Sequence, residues 1–447
     1  MRWWFFTFVA LCAVSSRLPA ENSKPNIIFI LADDLGWGDV GFHGGDAETP
    51  HLDQLASEGV ELTSHYVAPV CSPTRTGLLT GRNWTRFGVT TPTNTLAIPL
   101  TTITLPCLLA EQGYDTCLIG KWHLGSLPKW GPNHFGFNHS YGSLAGGVSP
   151  WSHGYKQGIY RPTWHRNEEL IQQSGHVTDL LTGEAIDWIG QRRNRPFFMY
   201  LPYTAVHLPL KEPDLWVSRV PAAITDEVQR HYLASIMHLD DAVGRILKAV
   251  DASVLKNETL IVFTSDNGGS TAENNDRRYP DDQCPTGRLP GDNLPFRGKK
   301  GEVYEGGVRV PTTVWWPGKL SPRKESTPCC IIDWLPTLCA FAGVKVNETL
   351  KLDGEDLSEM LLDKNQVKQR GIYIAGPNWR SVAVRRGHWK LVEHRKAENR
   401  NYELYDLNRD PTERNDLAGD QPEILREMIQ VLSELSRADR DSVVKEE

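Results

Sequence analysis

Asn26-Ile27-Ile28-Phe29-Ile30-Leu31-Ala32-Asp33-Asp34 is an apolar, β-branched run that stops on two carboxylates. No polar residue alternates within it, so it predicts a strand buried on both faces, as in parallel α/β sheets. The same grammar recurs outward from it. Tyr114 to Ile119 runs into Gly120-Lys121-Trp122-His123, Pro196 to Leu201 leads to His207, and Thr259 to Thr264 ends at Asp266-Asn267-Gly268-Gly269. Helical spacing falls between these strands, at 50–59, 105–112, 177–191 and 227–250, with Gly113 at a C-cap position. The alternation predicts an α/β fold whose ligand crevice lies outside the carboxyl ends of the strands. Asp33, Lys121, His207 and Asp266 are then neighbours despite their separation in sequence. Strand-end loops carry polar residues in any protein, but four strands ending in metal-type or cationic residues form a pattern.

The chain has 447 residues, 40% hydrophobic and 23% charged, enough for a large core and a smaller second domain. Its net charge of −7 gives no support to nucleic-acid binding and leaves any anionic substrate to local cations. Arg2 precedes an apolar run over 3–14 and then small and polar residues up to Ala20. That run is too short to span a bilayer and predicts a signal peptide over 1–20. The expected product is secreted or periplasmic (lysosomal or extracellular in a eukaryote), with no membrane span. Residues 281–293, rich in Pro, Gly and Asp, read as a surface loop. Short strands near 371–374, 381–385, 389–392 and 402–407, then a helix over 422–435, predict a small antiparallel α+β subdomain over 366–447, after a catalytic domain over 21–365. Of eight cysteines, Cys12 falls in the signal. With Cys71 set aside, Cys107, Cys117, Cys284, Cys329, Cys330 and Cys339 either form disulfides or remain buried thiols.

Asp33, Asp34, Asp266 and Asn267 offer hard oxygen and neither sulfur nor imidazole, a donor set for Ca²⁺ or Mg²⁺ rather than zinc. Adjacent Asp33 and Asp34 repel each other unless a cation lies between them. Each alone is an ordinary turn residue; together, each after an apolar strand, they read as one metal site. Cys71-Ser72-Pro73-Thr74-Arg75 places a cysteine just ahead of a proline suited to the first turn of a helix, where amides and dipole face an anion. Arg75, one turn on, can reach back toward it. Lys121 and His123 are two apart, so an extended segment points both to one side. His207 supplies a second imidazole, and Lys300, in Arg297-Gly298-Lys299-Lys300-Gly301, a second cation on a glycine-flanked loop.

The pentapeptide Cys71 to Arg75, followed by Thr76-Gly77-Leu78-Leu79-Thr80-Gly81-Arg82, resembles the type I sulfatase signature. Gly113-Tyr114-Asp115-Thr116 through Gly120-Lys121-Trp122-His123-Leu124-Gly125 resembles the second signature of that family, and 298–309 its lysine-containing loop. The similarity runs from Pro25 to about Leu338, and Tyr402 to Leu417 looks like the family's C-terminal subdomain. The resemblance implies an alkaline-phosphatase-like large mixed sheet flanked by helices. It implies that a formylglycine-generating maturation enzyme converts Cys71 to Cα-formylglycine, and that Asp33, Asp34, Asp266, Asn267 and an oxygen of modified Cys71 hold Ca²⁺ (Mg²⁺ less well). Arg75, Lys121, His123, His207 and Lys300 would line a sulfate pocket. The hydrated aldehyde would attack sulfur to form a covalent sulfate ester, with His207 and Lys300 serving the leaving oxygen and His123 taking the proton from the second hydroxyl.

Residues 32–44, Asn293 to Gly298 and Asp333 to Leu338 look like the arylsulfatase B branch, the N-acetylgalactosamine-4-sulfatases. A sulfated carbohydrate or aryl sulfate is therefore the expected substrate. Trp130, Trp151, Trp164 and Trp379 are candidate sugar-stacking platforms, and His153 lies in the stretch where selectivity is expected. Two alternatives stand beside this reading: a phosphonate or phosphate ester hydrolase of the same superfamily, and a sulfoglycan-binding protein whose Cys71 is never oxidised. Sequons at Asn83, Asn138, Asn257 and Asn347 matter in a eukaryotic secretory route.

Overall fold

The strand Asn26–Ala32 stands in the middle of a mixed sheet of ten described strands, parallel to Phe197–Pro202 on one side and Thr259–Ser265 on the other. The computed structural model describes residues 24–191, 194–253, 255–365, 369–396 and 399–444, so the predicted signal lies outside the described residues. Beyond Phe197–Pro202 come Asp115–Lys121 and His139–Ser143, both parallel, then antiparallel Trp164–Arg166 and Glu169–Leu170. Beyond Thr259–Ser265 come antiparallel Thr313–Trp315, then Val60–Leu62 and Arg323–Glu325.

Burial on both faces follows from the period of two along a strand. Ile27, Phe29 and Leu31 pack with Leu78, Leu79, Leu105, Trp334 and Leu338, from the helices Cys71–Thr80, Leu105–Glu111 and Trp334–Phe341. Ile28, Ile30 and Ala32 face the other way, onto Leu52, Leu181, Tyr232 and Val243 of Pro50–Glu58, Val177–Gly190 and Glu227–Ala252. A polar residue in this strand would face one core or the other, which is why the run is apolar until it leaves the sheet.

None of the seven described cysteines forms a disulfide, Cys12 lying outside the described residues. The sulfhydryl alternative is therefore the one the fold adopts. Among the described residues no helix is long and apolar enough to cross a membrane. Asn83 is set apart from the other sequons: its side chain is buried, donates to the Tyr373 carbonyl at 2.9 Å and accepts from Thr85.

A second, four-stranded antiparallel sheet comprises Gly371–Ala375, Ser381–Arg386, Trp389–Lys396 and Asn399–Asp406. Ile372, Ile374, Ala383, Val392 and Tyr405 join the main core, while Tyr373, Val382, Val384, Leu391 and Leu404 pack under the helix Pro422–Leu435. This sheet also grips the loop that carries Lys300. The Lys390 ammonium is 2.8 Å from both Glu305 and Glu413, and the Glu305 amide donates to Glu413 at 2.7 Å. Arg297 donates to the Tyr405 hydroxyl at 2.8 Å and to the Glu413 carbonyl at 3.0 Å. Lys390, Glu305 and Glu413 are all buried. Replacing Lys390 by Met leaves two buried carboxylates short of a cation and is expected to destabilise the fold by about 3–5 kcal/mol. A urea midpoint unchanged from wild type would contradict this.

Candidate active site

Parallel pairing puts the carboxyl ends of three strands side by side, with Ala32 opposite Ser265 and Leu31 opposite Pro202. The residues just past those ends must then meet. The Asp34 amide donates to Asp266 at 3.2 Å and the Asn267 side-chain amide to Asp34 at 2.8 Å. The carboxylates of Asp33 and Asp34, the Cys71 thiol and the His207 imidazole bring ligand atoms within 4.8 Å of one another. Asp33 Oδ1 and Asn267 Oδ1 are buried without a hydrogen-bond partner. Orphaned hard oxygens in an acidic cluster suit a Ca²⁺-type ion, so the predicted donor set fits such a group.

Cys71 opens the helix Cys71–Thr80, whose ten residues are all buried although half are polar. Its polar side chains tie the strand ends together. Ser72 donates to the His123 carbonyl at 2.9 Å and Thr74 to the Asp266 carbonyl at 2.6 Å. Arg75 donates to the Lys121 carbonyl at 2.6 Å and to Asp266 at 2.9 Å. The guanidinium is thus fully buried among Asp266, Asp33 and a main-chain oxygen, a counter-charge to the cluster more than an open lining of a pocket. Burial pushes the Cys71 thiol up to about 11, a rise that Lys121 and Lys300 only partly offset. A thiolate nucleophile is therefore disfavoured at neutral pH.

Lys121 reaches Asp33 at 2.5 Å and Lys300 reaches Asp34 at 2.6 Å. Burial, then Asp266, raises Asp33 to about 7. Asp34 is also buried, but Lys300, His207 and Lys121 hold it down to about 2. His123 converges on the same centre by a route the sequence reading did not anticipate. Its backbone is left-handed (φ +59), not extended, and its ring lies against Gly146, where a Cβ would stand 2.1 Å from Nε2. Burial, then Lys121 and Arg75, holds His123 well below the ordinary imidazole range, and its Nδ1 is unpartnered. His207 donates from Nδ1 to the Leu208 carbonyl at 2.5 Å and turns Nε2 toward Asp34, 3.9 Å away. All ten predicted site residues thus gather at one point, Arg75 beneath it.

Sequence reasoning missed the residues that hold these loops. Asn293 clamps Gly269, accepting from its amide at 2.7 Å and donating to its carbonyl at 3.2 Å, so the inner end of the expected surface loop is buried. The Lys300 amide donates to the same Gly269 carbonyl at 3.2 Å, joining the two turns. Two candidates for sugar recognition are overturned. Trp164 is 2% exposed, and His153 stacks on it at 4.6 Å while bonding the Gly175 carbonyl, so neither presents a face to a ligand. Trp151, 40% exposed, remains at the surface.

A family model described as Sulfatase matches residues 25–344, and one described as N-sulphoglucosamine sulphohydrolase, C-terminal, matches 298–438. The chain is 31% identical to arylsulfatase J of Mus musculus, across 94% of this chain and 77% of that protein. It is 30% identical to N-acetylgalactosamine-6-O-sulfatase of Bacteroides thetaiotaomicron, across 92% and 93%. Among solved structures, Ps i-CgsB in complex with k-i-k-neocarrahexaose superposes with a TM-score of 0.84 at 30% identity, across 95% of both chains.

The segment bearing His207 rests on a second charge cluster, in which Glu212 and His238 are buried and Asp179 is exposed. Glu212 accepts from His238 Nδ1 at 2.8 Å, His238 Nε2 lies 3.5 Å from Asp179, and Arg245 pairs with Asp179 at 2.8 Å. Trp216 and His176 stack on the two faces of the His238 ring, each at 5.0 Å. Burial opposes the His238 charge, but Asp179 and Glu212 outweigh it and raise the group from 6.5 to about 9. A folded-state pKa above the unfolded value stabilises fully below pH 6.5, and the gain is lost as pH rises through about 9. The loss is expected to be on the order of 3 kcal/mol. Urea midpoints should fall between pH 6 and pH 9.5 in wild type and much less in His238→Gln; parallel curves would refute the assignment.

Proposed function

The chain belongs to the sulfatase family, the sulfuric ester hydrolases, and we propose that its substrate is a sulfate ester on a carbohydrate. Residue 71 acts as Cα-formylglycine, made by a dedicated maturation enzyme, and the chain is exported. The observation that carries this reading is the meeting of Cys71 with Asp33, Asp34 and His207 within 4.8 Å, with Lys121 and Lys300 on those carboxylates. Residues 21–365 form the catalytic part and 366–447 the subdomain that supports the Lys300 loop.

Asp33, Asp34, Asp266, Asn267 and residue 71 would hold Ca²⁺, which supplies charge neutralisation and polarisation of an ester oxygen. A hydrated aldehyde at residue 71 would supply the nucleophilic hydroxyl and a second hydroxyl beside it. The protein's own groups do the rest. Lys121 and Lys300 hold the sulfuryl oxygens and stabilise charge that grows on them. Arg75 keeps Asp266 and the Lys121 main chain in place beneath the nucleophile. Neutral His123, its Nδ1 free, takes the proton of the second hydroxyl at residue 71, so that the C–O bond to the sulfate breaks, sulfate leaves and the aldehyde returns. His207 faces the leaving oxygen with Nε2; burial and then the Lys300 charge keep it neutral, and an anionic ester beside the lysines offsets the charge part of that effect.

The carbohydrate class is supported by relatives named for N-acetylgalactosamine-6-sulfate, including the mouse enzyme at 34% identity across 86% of this chain. The resemblance to 4-sulfatases makes the 4- and 6-sulfates of N-acetylgalactosamine the first pair to compare. The Lys121–His123 pair and the Lys300 loop favour sulfate over phosphonate esters.

Mass analysis of the residue-71 peptide from natively expressed protein is expected to find the aldehyde. Full turnover by protein that retains the thiol would overturn the mechanism. Cys71→Ala is expected to lower kcat by about a thousandfold or more. Chelation should abolish sulfate ester hydrolysis, and Ca²⁺ should restore it better than Mg²⁺; activity indifferent to chelator would remove the metal from the scheme.

A further inference from the structure

Beside the catalytic groups stands a side chain that has no part in the chemistry above. Tyr279 is 7% exposed, its ring met edge-on by Tyr155 at 5.7 Å, with the Lys156 ammonium 5.4 Å from its centroid. Each neighbour is itself held. Asn94 donates to the Tyr155 hydroxyl at 3.1 Å and accepts from Ser126 at 2.7 Å, and Lys156 pairs with Asp276 at 3.2 Å. The Tyr279 hydroxyl lies over Gly147: a Cβ there would stand 2.3 Å from it and 3.3 Å from Cε1 of His207. Glycine at 147 therefore lets the phenol and the imidazole flank the same point. Among the described residues none hydrogen-bonds that hydroxyl.

A rigid phenol with a free hydroxyl beside the leaving oxygen suits a neutral hydroxyl or ether on the departing group. A sugar offers such groups around the sulfated carbon, and a plain aryl ring offers none. A site built to hydrogen-bond a substrate group discriminates strongly against analogues that lack it. We propose that Tyr279 is a specificity-determining residue whose hydroxyl hydrogen-bonds the leaving sugar and selects carbohydrate sulfates over aryl sulfates. Tyr155 and Lys156 are positioning residues that hold its ring. The inference rests on the carbohydrate reading given above.

The test compares kcat/KM for an N-acetylgalactosamine sulfate and for para-nitrophenyl sulfate within each protein. A ratio of two substrates cancels any loss of folded or matured enzyme. In Tyr279→Phe the sugar-to-aryl ratio is expected to fall about tenfold or more. Tyr155→Phe, which frees the ring from Asn94, should lower the ratio in the same direction by less. An unchanged ratio in Tyr279→Phe, whether both rates hold or both fall together, overturns the proposal. Wild-type turnover of the sugar sulfate is scored separately: its failure sinks the carbohydrate reading, whereas the ratio between variant and wild type judges only Tyr279.

Discussion

Carboxylates placed side by side without water repel one another, and three of them, Asp33, Asp34 and Asp266, meet fully buried at the ends of neighbouring strands. Three cations balance them: Arg75 from beneath, Lys121 from the strand beyond, and Lys300 from a distant loop. Removing any one leaves an uncompensated charge in a dry environment, a far larger penalty than losing a surface ion pair. The fold around the cluster is best understood as what keeps these six groups in register. The all-apolar strand delivers the carboxylates, and a buried polar helix delivers the guanidinium.

The reach of that constraint extends to the far end of the chain. Lys300 sits on a loop whose flanks are fastened to Gly269 on one side and, through Arg297 and Glu305, to the four-stranded sheet on the other. The small sheet thus lies outside the charge cluster, yet it sets where the Lys300 ammonium stands. His207 is supported in the same indirect way, through Glu212 and His238. Both arrangements place ion pairs behind the groups that must not move, where burial makes them stiff.

What could be read from the sequence was whatever a local rule governs. Asn26–Ala32 announced itself because burial on two faces allows no polar residue, and Pro422–Leu435 because its period is helical. The ten residues that gather around the buried carboxylates were legible through strand ends and short motifs with family resemblance. Contacts made by chain closure left no local mark. His123 reads as a strand-like neighbour of Lys121, but its backbone is left-handed and its ring lies against Gly146. Trp164 and His153 looked available for a ligand and are occupied with each other. Tyr279 follows an unremarkable run of polar residues, and nothing near it hints that Tyr155, more than a hundred residues earlier, holds its ring.

The helix that begins at Cys71 has no exposed residue, and Cys71 itself is 1% accessible. Under the function proposed above, an enzyme that oxidised this thiol would find it sealed in the finished fold, so conversion would have to precede the closing of this helix against the strand ends. A chain that closed first would keep its thiol, and the specific activity of a preparation would then record how fast the chain folded relative to how fast it was modified.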